Sequence, residues 1–195
     1  MVHDVLDVAV LASELFESLG IPHAIGGSIA STYYAEWRLT NDVDVAVALR
    51  VDQVDRLVER AASHFLVEKS FVLEAVLTKG LFTMVERSQY VKLDVYVRER
   101  AGFFASQLAR ARLAPLRRNP PGSAWIVSHE DIVLQKLLWY EQGGRVSEQQ
   151  WRDVLGVLRV WHGRLDQGSL DEWSRKLGLV ELLAEAQRQV AERRS

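Results

Sequence analysis

The sequence predicts an α+β fold, in which a small mixed sheet with flanking helices is followed by a helical C-terminal lobe. Residues up to about 111 combine helically spaced apolar positions with short valine-rich runs that alternate as strands do, whereas residues beyond 126 have helical spacing throughout. The segment between them, 112–125, contains three of the four prolines, and proline favours loops. We therefore predict an α/β lobe over 1–111, a connector over 112–125 and a helical lobe over 126–195.

Individual elements follow from apolar spacing and from the residues that end each run. A helix is expected over 4–19, because Gly20 supplies a C-terminal stop after a helically spaced apolar stripe. In the second lobe, Ser128 and Asp131 form a capping-box-like start, and Gly143 ends the same helix. The other expected strands are 23–25, 42–49, 81–85 and 90–97, and the other expected helices are 28–37, 51–64, 147–162, 169–177 and 179–193.

Composition excludes several classes of protein. The 195 residues are 48% hydrophobic with a formal net charge of −2, which argues against a protein whose main task is coating nucleic acid. Cysteine is absent, so disulfides, zinc–thiolate sites and cysteine nucleophiles are excluded. The first residues do not resemble a signal peptide, and no apolar run approaches the roughly 20 residues that a membrane span requires. We expect a cytoplasmic protein that does not bind membranes.

A Gly-Gly-Ser turn follows the first predicted strand. Gly26 and Gly27 let the backbone approach an oxyanion closely, and Ser28 is expected to cap the next helix, whose first N–H groups point toward such an anion. The same turn would also serve as a plain connection between a strand and a helix. By itself it indicates a phosphate site only weakly.

Two aspartates interrupt the valine-rich strand that comes next. Residues two apart on a strand project to the same side, so Asp42 and Asp44 present neighbouring carboxylates while the intervening valines face the core. Such like charges repel, and a divalent cation with a preference for oxygen ligands would relieve the repulsion. The alternative is that both acids lie at an exposed strand end and cap a turn with Asn41.

A third carboxylate repeats this arrangement on a later strand. In the run 90–97, Asp94 lies on the side opposite the apolar face, as Asp42 and Asp44 do on theirs. If the two strands adjoin, the three acids converge in front of the glycine turn. Three carboxylates can hold two metal ions roughly 3.5–4 Å apart, which is the arrangement for phosphoryl or nucleotidyl transfer.

The combination of a Gly-Gly-Ser turn, a helix, an Asp-Val-Asp strand and a later lone Asp resembles the nucleotidyltransferase superfamily of DNA polymerase beta. The spacing of Arg38, Thr40, Asp42 and Asp44 is most similar to the abortive-infection toxin-type nucleotidyltransferases and related bacterial proteins. The runs SHEDIVLQKLLWY and QQWRDVLGVL resemble the helical region of those relatives. The resemblance covers roughly residues 20–160, and it implies a nucleotidyltransferase-type sheet.

The resemblance also implies roles for particular residues. Asp42, Asp44 and Asp94 would bind Mg²⁺, with two ions expected, and catalyse the transfer. Gly26, Gly27 and Ser28 would hold the triphosphate of a nucleoside triphosphate such as ATP. Lys136 of the helical lobe would contact a phosphate. A solvated position on the helix surface is an equal alternative for Lys136.

Other polar and aromatic residues have simpler interpretations. Asp153 is expected to be structural and to pair with Lys136 or Arg152, while Arg38 either braces the metal strand, contacts the acceptor or pairs with an acid. His23 is expected to be a satisfied, partly buried histidine. Aromatic residues at helical spacing usually belong to a core, and this applies to Trp139 and Tyr140. For the basic run, solvation of a loop is nearly as good an explanation as RNA binding; the run consists of Arg110, Arg112, Arg117 and Arg118.

The function expected from the sequence is metal-dependent transfer of a nucleoside monophosphate from a nucleoside triphosphate to a hydroxyl, with release of pyrophosphate. RNA such as tRNA, a protein side chain and a small molecule all remain open as acceptors. The alternatives are a non-catalytic nucleotide-binding module and a toxin–antitoxin partner protein with the same fold. The sequence does not determine the oligomeric state.

Overall fold

The computed structural model describes residues 4–36, 38–118 and 121–192. These residues form two compact units. The first unit contains the chain up to Ile29 together with Leu39–Val127, and the second contains Ala30–Arg38 together with the chain from Ser128 onward. A short early segment, Ala30–Arg38, thus groups with the C-terminal helices, and the predicted lobe boundaries stay a prediction.

The first unit is built on one mixed sheet of seven strands within the described residues. The strands occur in the spatial order β3-β4-β5-β2-β1-β7-β6. The pairs β2–β5 and β1–β7 are parallel, and the other four neighbouring pairs are antiparallel. The bounds are β1 His23–Ile25, β2 Asp42–Val47, β3 Phe65–Leu66, β4 Leu81–Glu86, β5 Lys92–Val97, β6 Arg112–Arg118 and β7 Pro121–Ile126.

The central strands bury one face of the sheet, as their alternation predicts. Along β2 and β5, the buried residues alternate with half-buried or exposed ones. The side chains on the buried face are almost completely inaccessible to solvent; they are Val43, Val45, Val47, Leu93, Val95 and Val97. This face forms the core, so the opposite face carries the polar side chains of both strands.

Among the described residues of the first unit, the α-helices are α1 Val5–Ser18, the start of α2 Gly27–Tyr34, α3 Val54–Ala61, α4 Lys69–Thr78 and α5 Gly102–Arg110. The helix α1 begins with a capping box, in which Asp4 accepts from the Asp7 backbone and Asp7 accepts from Asp4. The helix α2 begins at Gly27, so Ser28 lies in its first turn and is not its N-cap. The predicted end of this helix at Trp37 lies outside the described residues.

The segment predicted as a connector is part of the sheet. Residues 112–118 and 121–126 form the antiparallel pair β6–β7, and β7 continues the sheet by pairing in parallel with β1. Pro115 is compatible with this because β6 is an edge strand, where a missing N–H donor is tolerated, and Pro121 is the first residue of β7, where proline is also tolerated. The exposed Pro115 also adjoins the irregularity in the β6–β7 register.

The second unit is helical in the part of the chain that the structure describes. Its helices are the remainder of α2, α6 His129–Gln142, α7 Glu148–Val160, α8 Gln167–Leu177 and α9 Val180–Glu192. Ser128 caps α6 by accepting a hydrogen bond from the Asp131 backbone, and Gly143 ends the helix, as predicted. No helix among the described residues is long and apolar enough to cross a membrane.

Candidate active site

The Gly26–Gly27 turn lies against the second aspartate of β2. Gly26 donates its backbone N–H to the carbonyl of Asp44, at 2.9 Å. Gly27 has a φ of +54°, and a Cβ atom at this position would lie 1.9 Å from Oδ2 of Asp44. Both the conformation and the contact therefore require glycine. The first turn of α2 consequently begins directly beside the Asp44 carboxylate.

Asp44 and Asp94 are directly opposite each other on adjacent parallel strands. The β2–β5 register pairs Asp44 with Asp94, and Asp42 lies two residues earlier on β2. Because side chains alternate along a strand, all three acids project from the same, non-core face of the sheet. The predicted common face of the three acids is thus present, and it adjoins the Gly26–Gly27 turn through Asp44.

Hydroxyl groups donate hydrogen bonds to these carboxylates. Thr40 donates to Oδ1 of Asp42 at 2.8 Å, and Thr83 donates to Oδ1 of Asp94 at 2.6 Å. Thr83 is the cross-strand neighbour of Asp94 in the β4–β5 pair. Thr40 belongs to the sequence pattern that carries the family resemblance, but no role in the site was predicted for either threonine. Thr40 could have been found from its position two residues before Asp42, whereas Thr83 depends on a strand register that the sequence does not contain.

Tyr96 lies on the same face as Asp94, two residues further along β5. Burial, the negative charges of Asp44 and Asp94 and a hydrogen bond to Asp44 raise the pKa of Tyr96 to about 12. The phenol is therefore protonated at neutral pH and donates a hydrogen bond to the Asp44 carboxylate. The alternation along β5 places Tyr96 on this face, but the sequence alone gives it no role in the site.

The carboxylates of this face are of the type that can bind a divalent cation. No group of three or more His, Asp or Glu side chains within the described ranges is arranged to hold a metal ion. Magnesium in nucleotide sites, however, is usually bound by one or two carboxylates, and substrate phosphates and waters complete its octahedron. The pair Asp44 and Asp94 provides the oxygen ligands that such an ion prefers, and metal binding by Asp42, Asp44 and Asp94 stays a prediction.

Lys136 is buried in the second unit, where it forms an ion pair. Its side chain is 2% exposed, and Nζ lies 3.0 Å from Oδ2 of Asp153. A solvated position on the helix surface is therefore excluded. Lys136 pairs with Asp153, as predicted for Asp153, and the proposed contact of Lys136 with phosphate remains a prediction.

Asp153 also binds the segment that leads into β2. Arg38 donates from Nε and Nη2 to the two carboxylate oxygens, each at 3.1 Å, and Ser31 donates to Oδ2 at 3.2 Å. Of the interpretations of Arg38, pairing with an acid is the one that the structure shows. Asp153 thus connects α6, α7 and the 30–38 segment within the helical unit.

Several other residues have structural roles. Nε2 of His23 is 2.7 Å from the Ser13 hydroxyl and Nδ1 is 3.0 Å from the Ile21 carbonyl, which confirms a satisfied, buried histidine. Tyr140 packs against the Trp151 ring, with centroids 5.1 Å apart. Within the basic run, Arg117 forms an ion pair with Asp7. These contacts support packing and folding without requiring a ligand.

Comparison with solved structures identifies the fold. The chain is similar to an antigenic nucleotidyltransferase-like protein from Paracoccidioides brasiliensis, with 18% identity, a TM-score of 0.59 and coverage of 95% of this chain and 92% of that one. It is also similar to the antibiotic-resistance factor ANT(2'')-Ia, with 14% identity, a TM-score of 0.55 and coverage of 92% and 95%. No family model and no curated protein matches the sequence. The fold of this chain is therefore similar to that of these two solved proteins, which confirms the predicted α+β fold with a nucleotidyltransferase-type sheet.

Proposed function

We propose that the protein is a metal-dependent nucleotidyltransferase that moves a nucleoside monophosphate from a nucleoside triphosphate to a hydroxyl acceptor and releases pyrophosphate. The observation that carries this proposal is the pairing of Asp44 with Asp94 on adjacent strands, with the Asp44 carboxylate against Gly27. This arrangement combines oxygen ligands for a cation with a helix N-terminus suited to phosphate. The nucleotidyltransferase fold supports the same chemistry.

The roles of the residues follow from their positions. The backbone of Gly26, Gly27 and Ser28 at the start of α2 binds the triphosphate, and the carboxylates of Asp44 and Asp94, with Asp42 as the third acid, hold the cations. When bound, Mg²⁺ neutralises phosphate charge and lowers the pKa of the attacking hydroxyl. Most of the rate acceleration in such reactions comes from positioning and charge stabilisation, which these residues provide.

The proton of the acceptor hydroxyl passes to a carboxylate of this set. Tyr96 is not the base, because its phenol is already protonated at neutral pH. Its hydrogen bond instead orients Asp44. Asp42 and Asp94 each accept a threonine hydroxyl through Oδ1, so Oδ2 of each is the oxygen that would bind a cation.

The acceptor belongs to one of three classes: RNA, a protein side chain or a small hydroxylated molecule. ANT(2'')-Ia is an antibiotic-resistance factor, so antibiotics belong among the small molecules to be tested. The contrasting function is that of a nucleotide-binding or toxin–antitoxin partner protein without turnover. Intact carboxylates on the polar face of the sheet favour the enzyme.

The proposal is tested by incubating the purified protein with each α-labelled nucleoside triphosphate, Mg²⁺ and a cell extract. We expect pyrophosphate release and transfer of label to one class of acceptor. The Asp94→Asn variant should abolish both signals. Asp55→Asn is the matched control, because Asp55 is an exposed acid that pairs with Lys69.

Two results would argue against the enzyme. Nucleotide binding without pyrophosphate release, in the presence of every acceptor class, would support the non-catalytic nucleotide-binding module. Full activity of Asp94→Asn would remove the carboxylate pair from the reaction.

A further inference from the structure

Two carboxylates of the candidate site have the same hydrogen-bonding arrangement, although they lie on different strands. Asp42 and Asp94 each accept from a threonine hydroxyl through Oδ1, at 2.8 Å and 2.6 Å. Thr40 precedes β2, whereas Thr83 belongs to β4. The same contact therefore arises from a local turn in one case and from a cross-strand pair in the other.

We infer that Thr40 and Thr83 are positioning residues, which orient the carboxylates of Asp42 and Asp94 toward the divalent cation. The inference rests on the proposed function, because it concerns the cation that this reaction would use. Neither threonine is assigned a contact with nucleotide or acceptor. Each acts through its aspartate.

The reason for positioning lies in the charge of this face. Asp44 and Asp94 are directly opposite each other, and Asp42 is two residues away on the same strand. Three like charges on one face repel, so the side chains gain by rotating away from one another in the absence of a cation. A hydroxyl bond to Oδ1 opposes that rotation and keeps Oδ2 available as a ligand.

Threonine suits this role because its branched Cβ restricts the χ1 angle. Thr83 is exposed, so its methyl group makes no contribution to the buried core of the sheet. Its register opposite Asp94 instead places the two Cβ atoms at the spacing of directly paired cross-strand residues. The side chain is therefore placed for the hydrogen bond rather than for packing.

The test measures binding of Mn²⁺, a paramagnetic substitute for Mg²⁺, by electron paramagnetic resonance in the presence of a non-hydrolysable nucleoside triphosphate. Thr40→Val and Thr83→Val remove the hydroxyl with little change in shape, and the corresponding serine variants restore it. Loss of a residue that orients a metal ligand typically costs 10–100-fold in metal affinity, so we expect the Mn²⁺ dissociation constant to rise about tenfold in each valine variant.

Serine variants should bind Mn²⁺ as the wild type does. Thr78→Val is the matched control, because the Thr78 hydroxyl donates to the Glu74 carbonyl of its own helix. Circular dichroism melts identify any variant that fails to fold. If Thr83→Val does so, Thr83→Ala at this exposed position replaces it.

The outcomes separate the inference from the proposed function. If wild type binds Mn²⁺ and both valine variants bind it equally well, the positioning role is wrong and the proposed function is unaffected. If wild type itself does not bind Mn²⁺ with the nucleotide analogue, the metal-dependent function fails, and the inference fails with it. An equal loss of affinity in the serine variants would show that the hydroxyl group does not by itself maintain the Mn²⁺ affinity, and would also overturn the inference.

Discussion

The α-carbon of Gly27 faces the carboxylate of Asp44 so closely that an added Cβ atom would lie 1.9 Å from Oδ2. This relationship connects the turn that precedes α2 to the acid at the centre of β2. A side chain at Gly27 would displace the carboxylate of Asp44, the residue that lies opposite Asp94 in the β2–β5 register. The turn is therefore in direct contact with Asp44 and is not merely a neighbouring motif.

The first prediction concerns replacement of Gly27 by alanine, which distinguishes the effect of the Gly27–Asp44 contact from the effect of backbone strain. Gly102 is the matched control, because its φ is also +54° and nothing lies within 4 Å of an added Cβ. Both alanine variants should lose about 1–2 kcal/mol of stability to the left-handed conformation. Only Gly27→Ala should also lose nucleotide transfer, by about 100-fold, since a misplacement of about 1 Å can have that effect. Thermal melts and rate measurements on both variants test this prediction. Equal activity of the two variants would show that the Gly27–Asp44 contact does not matter for transfer.

The second prediction concerns repulsion between the acids. Asp44→Asn should abolish nucleotide transfer and leave the free energy of unfolding unchanged or higher when metal is removed, because one of two opposed like charges is lost. Thermal melts in chelator and activity assays with Mg²⁺ are the measurements. A strongly destabilised variant that remains active would show that Asp44 is structural.

The third prediction concerns the buried ion pair of the helical unit. Asp153→Ala leaves the ammonium of Lys136 buried without its carboxylate partner, so the free energy of unfolding should fall by about 3–5 kcal/mol. The exposed pair of Arg152 with Glu148 is the control, and its removal should change stability by no more than about 1 kcal/mol. Denaturant titration measures both, and similar losses would argue against an important role for the buried pair.

The fourth prediction tests whether Lys136 also contacts phosphate. Lys136→Met removes the charge while keeping a long side chain, and nucleotide affinity should fall by about 1.5–3 kcal/mol if a hydrogen bond to a charged group is lost. Lys176→Met is the control, since Lys176 lies on α8 and pairs with Glu172. Calorimetric titration of a non-hydrolysable nucleotide with Mg²⁺ compares them. Unchanged affinity in a folded Lys136→Met protein would remove Lys136 from the nucleotide site.

The fifth prediction concerns the pH dependence of stability. Burial lowers the pKa of His23 below its usual value of 6.5, against the opposing effects of the Ile21 carbonyl and Glu17. The unfolded chain therefore binds a proton that the folded chain does not, so stability should fall as the pH drops below 6.5 toward the folded-state pKa. The slope attributable to His23 is at most about 1.4 kcal/mol per pH unit.

The slope is measured by denaturant titration at several pH values. His23→Gln should reduce it in this window, whereas His64→Gln, at an exposed position, should not. An identical pH dependence in wild type and His23→Gln would show that His23 does not cause the effect.

The sequence by itself determined which residues share a face and where most elements lie. The alternation of Val43, Asp44 and Val45, like that around Asp94, is a local property of each strand, so the common polar face could be predicted before the strands were paired. The capped start of α6 at Ser128 is local for the same reason. Helical spacing likewise predicted the bounds of α1 and of the C-terminal helices to within a few residues.

Only the tertiary structure decided which distant segments meet. The register that places Thr83 beside Asp94, the approach of Gly27 to Asp44 and the joining of Arg38 to Asp153 each depend on residues far apart in the chain. The strand β6 could not be predicted because Pro115 and the prolines that follow the strand favour a loop locally, whereas pairing with β7 at the sheet edge supplies its hydrogen bonds. Local propensity is a weak preference that such long-range pairing overrides.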